Sequence, residues 1–92
     1  MIRKFKHKDL KELFETGKTK GVNPQHITRL RQIIALLETA ETLEDMDLPG
    51  LKLHELKGQR KGTWAVSVSG NWRVTFKIQG TDTYDVNYQD YH

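Results

Sequence analysis

The sequence predicts an α+β domain in which two N-terminal helices cover one face of an antiparallel β-meander. Three observations carry this. Apolar residues recur at helical spacing in the first half and at a spacing of two from Leu51 onward. Turn residues divide the second half into four short runs. The strands share an apolar face that needs a cover, and the two helices are the segments available for it.

Met1 to Phe5 is β-compatible and predicts an edge strand. Leu10, Leu13 and Phe14 follow at helical spacing, and Gly17 stands where a left-handed C-cap would end a short helix. Asn23 then caps a second helix whose first position suits Pro24, because the missing N–H would have had no partner there. Ile27, Leu30, Ile34 and Leu37 trace its apolar stripe, widened by Ile33, and leave Arg29 and Gln32 facing solvent. Thr42-Leu43-Glu44-Asp45 resembles a capping box with Asp in the last position and predicts one further turn, stopped by Leu48-Pro49-Gly50. Four strands follow. Leu51 and Leu53 alternate with Lys52 and His54. Trp64, Val66 and Val68 alternate with Thr63, Ala65 and Ser67. After the turn Ser69-Gly70-Asn71 come Trp72, Val74, Phe76 and Ile78. After Gln79-Gly80-Thr81-Asp82 come Tyr84, Val86 and Tyr88.

Ninety-two residues leave room for one core, so a single domain over 1–92 is expected. Cysteine is absent, which excludes disulfides and thiolate metal sites. No apolar stretch approaches signal-peptide or membrane-spanning length, so a cytoplasmic protein with no membrane partner is expected. The net charge of +3 is unevenly spread: residues 52–77 carry Lys52, Lys57, Arg60, Lys61, Arg73 and Lys77 against Glu55 alone. A segment this one-sided is a candidate footprint for phosphates, and equally a solvated strand face.

Period-two parity puts Arg73, Thr75 and Lys77 opposite the Trp72-Val74-Phe76 side, and His54 opposite Leu53. Lys57 and Arg60 lie in the adjoining turn, and the sequence closes on Asp90-Tyr91-His92. Taken singly, each has an ordinary explanation: a strand histidine is usually hydrogen-bonded or solvated, and terminal residues usually fray. Trp64 and Trp72 share parity with valines and belong to the core. The histidines His7, His26, His54 and His92 have no ligand spacing, and Gly58 and Gly62 form no phosphate loop, so neither metal nor cofactor is expected.

Three stretches carry a specific resemblance. Asp47-Leu48-Pro49-Gly50-Leu51-Lys52-Leu53-His54-Glu55-Leu56-Lys57-Gly58, then Trp64 to Phe76 with its Ser69-Gly70-Asn71-Trp72-Arg73 centre, then Asp90-Tyr91-His92, together resemble the HigB (host-inhibition-of-growth) branch of the RelE toxin superfamily. The opening Met1-Ile2-Arg3-Lys4-Phe5-Lys6-His7 and Leu13-Phe14-Glu15-Thr16-Gly17 fit as well, so the likeness runs over essentially the whole chain. It implies a microbial-ribonuclease type of fold, with two helices on a curved antiparallel sheet of about four to five strands. It also implies a toxin of a type II toxin–antitoxin system that cuts messenger RNA in the ribosomal A site, by metal-free attack of a 2′-hydroxyl on the adjacent phosphate. The implied partners are a HigA-like helix-turn-helix antitoxin and the ribosome, through its 16S RNA and A-site messenger. Operator DNA is implied only indirectly, through the antitoxin complex.

Residue by residue, the resemblance implies catalytic roles for His54, Lys57, Arg73, Asp90, Tyr91 and His92. His54 and His92 would be the proton-transfer pair, since an imidazole titrates near the working pH. Arg73 and Lys57 would stabilise the phosphorane, Asp90 would orient a neighbouring histidine, and Tyr91 would stack a base or position the phosphate. Arg60, Lys61, Lys77 and Lys52 would contact ribosomal RNA. Two other classes remain open at this point: a ParE-like inhibitor of DNA gyrase, which the His54 and Asp90-Tyr91-His92 set argues against, and a non-enzymatic RNA-binding regulator, which leaves the last histidine unexplained.

Overall fold

A computed structural model describes residues 1–91. Helix α1 spans Lys8–Thr16 and buries Leu10 and Leu13, while Phe14 stays exposed with its ring 5.6 Å from that of Phe5. Gly17 closes the helix at φ 77°, where its N–H donates to the Leu13 carbonyl. Asn23 caps as expected, but the first turn, Pro24–His26, is a tighter 3₁₀ turn, and helix α2 proper spans Ile27–Thr39. Leu30, Ile33, Ile34 and Leu37 are buried along it. The expected turn after α2 is present at Leu43–Met46, with the Asp45 carboxylate accepting the Glu41 and Thr42 N–H groups at 2.9 and 3.2 Å. Those two bonds hold the Asp45 carboxyl below the usual carboxylate range.

The N-cap of α1 is a histidine. His7 Nδ1 accepts from the Leu10 N–H at 3.1 Å, and burial holds the imidazole below its ordinary value of 6.5, against the opposing charge of Asp9. Protonation would remove the acceptor and place a charge in a half-buried position. The unfolded chain therefore takes up this proton first as pH falls through 6.5, so the contribution is complete above 6.5 and is lost towards the lowered folded value. The urea midpoint should accordingly drop between about pH 7.5 and about pH 5. His7→Asn keeps a cap acceptor and should flatten this part of the decline. An identical pH profile for the variant would remove His7 from the account.

The second half is the expected meander. Strands β1 (His54–Glu55), β2 (Trp64–Ser69), β3 (Trp72–Gln79) and β4 (Asp82–Asp90) pair antiparallel in the order β1-β2-β3-β4. Strand β1 is shorter than the alternation predicts. Leu51 closes a turn onto the Leu48 carbonyl and Lys52 sits at φ 53°, so the extended run begins only at His54, although Leu51 itself is in the core. The N-terminal segment lies parallel to the free edge of β4, with Arg3 N–H on the Thr83 carbonyl at 2.7 Å and Val86 N–H on the Lys4 carbonyl at 3.1 Å. It forms isolated bridges there, and it covers hydrogen-bonding groups that an open edge would expose.

Two departures from the sequence reading bear on the site. Arg29 does not face solvent: its Nη2 donates to the carbonyls of Gly50 at 2.8 Å and Ser67 at 3.2 Å, tying α2 to the sheet. In β4, Asn87 pairs with Thr75 and Tyr84 with Lys77, so β4 carries one residue more than β3 between these pairs. The extra residue is Asp85, at φ 54°. This bulge breaks the Tyr84-Val86-Tyr88 alternation. Val86 and Tyr88 stay in the core under the helices, but Tyr84 turns to the opposite face and Thr83 takes its place inside, 1% exposed.

Candidate active site on the outer face of the sheet

The face of the sheet away from the helices holds His54, Arg73, Lys77 and Tyr91, and Arg60 reaches onto it. Its rows follow from the register. His54, Ala65, Thr75 and Asn87 form one row across all four strands, and Ser67, Arg73 and Gln89 form the next. Tyr91 continues the parity of Gln89, and its N–H donates to the Asn71 carbonyl at 2.8 Å, so pairing persists to the last described residue.

Arg60 organises this face. It belongs to the connection between β1 and β2, yet its Nη2 donates to Gln89 Oε1 at 2.9 Å and its Nη1 donates to the Tyr91 hydroxyl, both on the β4 side. The guanidinium also lies 5.5 Å from the Tyr91 ring centroid. The Arg60 guanidinium therefore reaches across the sheet from the β1–β2 connection to β4. Thr75 and Ala65, which parity places on this face, are nevertheless buried. The connection is itself fixed by Glu55, whose carboxylate accepts the Gly62 N–H at 2.9 Å. Arg73 is half-buried and donates from Nη1 to the carbonyls of Gly70 at 2.6 Å and Trp72 at 3.0 Å, at the β2–β3 hairpin. One face thus carries two guanidiniums, an amide and a phenol, a set that recognises phosphate and a planar base.

The remaining candidates are dispersed. His54 is exposed at the sheet edge with Nδ1 2.9 Å from the Lys52 carbonyl, and strand spacing puts it about 10 Å from β3 and about 14 Å from β4. Lys52, Lys57 and Lys61 are exposed. Lys77 lies at the other end of the outer face, 3.8 Å from Asp85. Asp90 pairs with Trp72 and so shares the helix-side parity of Tyr88, not that of Tyr91. His54 stands on the other face and three strands away. His92 lies outside the described residues.

Behind Asp90 is a buried aromatic cluster. Tyr88 stacks on Trp72 at 4.6 Å, its hydroxyl meets His26 Nδ1 at 2.6 Å, and the His7 ring packs on it edge-on at 5.4 Å. Burial pushes the Tyr88 phenol above the usual tyrosine range and the Asp90 charge adds to this, against a backbone hydrogen bond at Asn23. The cluster clamps β4 two residues before Asp90. Tyr88→Phe, which strands the buried His26 nitrogen, should cost about 1–2 kcal/mol in urea unfolding. A loss below a few tenths would mean the bond does not hold the strand.

Sequence reasoning missed Gln89, Tyr84 and the Arg60–Tyr91 contact. Gln89 shares parity with Arg73's partners and was available from the alternation of β4. Nothing in the sequence marks the bulge at Asp85 or the reach of Arg60 across to β4.

Comparison with known proteins places this architecture among the toxins with a RelE-like fold. The HigB-like toxin family, described as "RelE-like toxin of type II toxin-antitoxin system HigB", matches residues 3–92. "Endoribonuclease HigB" of Proteus vulgaris is 45% identical over 92 residues, all of this chain and all of that one. Two crystal structures of YafQ from E. coli share the fold: that from strain BL21(DE3), at TM-score 0.65 and 22% identity, and a histidine-to-glutamine mutant, at TM-score 0.64 and 16% identity. Each alignment covers 98% of this chain and 91% of the YafQ chain. The chain belongs to the HigB-like toxins.

Proposed function

We propose that this toxin is an endoribonuclease that cleaves messenger RNA held in the ribosomal A site, with the outer face of its sheet against the scissile phosphate. The observation that carries this reading is the gathering of Arg60, Arg73, Gln89 and Tyr91 on one face, beside the 45%-identical endoribonuclease. The reaction is a transesterification. The 2′-hydroxyl attacks the adjacent phosphorus, the bond to the 5′-oxygen breaks, and the ends are a 2′,3′-cyclic phosphate and a 5′-hydroxyl. One imidazole accepts the 2′-hydroxyl proton and another group protonates the leaving oxygen; His92 and His54 take these parts. Arg73, aided by Lys57, stabilises the charge that accumulates on the phosphorane oxygens. Tyr91, held by Arg60, presents its ring to a base or its hydroxyl to the phosphate. Asp90, on the helix-side face, serves a histidine other than His54.

The ribosome requirement has a physical rationale in the spacing. His54 is about 10 Å from the Arg73 strand, so the described groups do not form a closed pocket that could hold a free RNA in reacting geometry. A template that fixes the messenger supplies that geometry instead. Lys52 and Lys61, exposed beside the site, are available to ribosomal RNA. A type II toxin is held in check by a protein antitoxin, here a HigA-like helix-turn-helix protein that also carries the complex to operator DNA. Purified toxin should cut a programmed messenger on ribosomes and leave the same RNA nearly intact when naked. Equal cleavage of naked RNA would overturn the ribosome requirement.

A further inference from the structure

The β4 bulge does something that burial does not explain. It turns Tyr84, which period two would place inside with Val86 and Tyr88, out to the opposite face, and it puts a threonine in the core in exchange. Thr83 gains little there, since its hydroxyl reaches the Leu37 carbonyl only at 3.5 Å. The exchange also holds Asp85, a non-glycine residue, at φ 54°. An apolar core gains nothing from this trade. A bulge that re-aims an aromatic ring is a recurrent device beside binding sites.

Tyr84 emerges into a groove of about 280 Å³ lined by Lys4, Lys77, Gln79, Tyr84 and Asp85. Both lysines reach the same carboxylate, Lys4 at 3.9 Å and Lys77 at 3.8 Å from Asp85. Two cations share one anion, which leaves one positive charge in excess next to an aromatic face. Lys77 and Arg73 lie on one strand and one face, four residues apart, so the groove sits about 13 Å from Arg73, roughly the rise of four stacked nucleotides. Thr75 and Asn87 fill the row between them.

We infer that this groove is a second nucleotide-binding subsite, in which Lys4 and Lys77 take a backbone phosphate and Tyr84 stacks on the base of a single-stranded RNA that also reaches Arg73. Phosphate and Asp85 compete for the two lysines, so occupancy displaces the carboxylate from them. The inference rests on the proposed RNA chemistry of the outer face. The strand in the groove is either the messenger beyond the cut or a segment of ribosomal RNA.

The test uses purified full-length toxin and three probes: ribosomes carrying a messenger, ribosomes without one, and a single-stranded oligoribonucleotide of about twelve bases, within the site sizes typical of single-strand binders. Tyr84→Ala should weaken binding to at least one probe by roughly fivefold or more, and Tyr84→Phe, which keeps the stacking ring, should restore it. Lys77→Ala should weaken the same probe and reduce the slope of log affinity against log salt by about one. Losses confined to messenger-bearing ribosomes and the oligonucleotide identify the messenger as the occupant. Losses that persist on messenger-free ribosomes identify ribosomal RNA. Wild-type-like binding of both Tyr84→Ala and Lys77→Ala to all three probes would overturn the subsite. Binding is read apart from cleavage, so a wild-type toxin that fails to cut would defeat the proposed function while leaving this result intact.

Discussion

Arg73→Ala should lower cleavage of ribosome-bound messenger by about 10²–10³-fold, the usual effect of removing a donor aimed at developing anionic charge. Its guanidinium is half-buried, anchored through Nη1 to the Gly70 and Trp72 carbonyls, and shares a row with Gln89. That anchorage leaves the other nitrogens to meet a phosphate in a fixed direction. The fold should survive the substitution, because the Gly70 carbonyl is exposed and the Trp72 carbonyl only partly buried, so water replaces the donor; a loss of about 1 kcal/mol is expected. Arg73→Lys keeps the charge but loses the planar fork, so it should recover only part of the rate. A melting temperature lowered by about ten degrees or more in Arg73→Ala would make the residue structural.

His92→Gln should have an effect as large, about 10²–10⁴-fold on cleavage, with ribosome binding nearly unchanged. Glutamine keeps the size and hydrogen-bonding ability of the side chain and removes proton transfer. The structure sharpens the comparison with His54, which stands at the sheet edge two strands from Arg73 with its Nδ1 on the Lys52 carbonyl. If both histidines carry protons, His54→Gln should cost a comparable factor, and the pH–rate profile of each single variant should lose one limb. Full activity of His92→Gln at matched protein concentration would leave His54 as the remaining histidine for the chemistry.

The helices and the meander were legible because their signals are local: apolar stripes, caps at Asn23 and Gly17, and turn residues between alternating runs. Errors arose where a single backbone torsion or a distant acceptor decided the outcome. Lys52 at φ 53° delays β1 to His54, and Asp85 at φ 54° moves Tyr84 to the other face; lysine gives no sign of a left-handed torsion, and aspartate, though enriched there, adopts it too seldom to mark the position. Arg29 lies off the apolar stripe, and helical periodicity says nothing of the Gly50 and Ser67 carbonyls to which its side chain donates. The candidate residues come from a family resemblance, and the shared face of Arg73, Lys77 and His54 was legible through parity. Its organisation was not. That depends on the Arg60 side chain reaching across to Gln89 and Tyr91 on the β4 side, whereas the opposite facing of Asp90 and Tyr91 follows from strand alternation itself.

Catalysis of a 2′-hydroxyl attack by the outer face, on a ribosome-bound messenger, is tested most directly by the chemistry of the cut ends. Purified toxin, incubated with ribosomes programmed with an end-labelled messenger, should leave an upstream fragment ending in a 2′,3′-cyclic or 3′-phosphate and a downstream fragment beginning with a 5′-hydroxyl. Arg73→Ala should suppress both in parallel. Fragments with a 3′-hydroxyl and a 5′-phosphate would mean that water, not the 2′-hydroxyl, attacks the phosphorus, and would contradict the account.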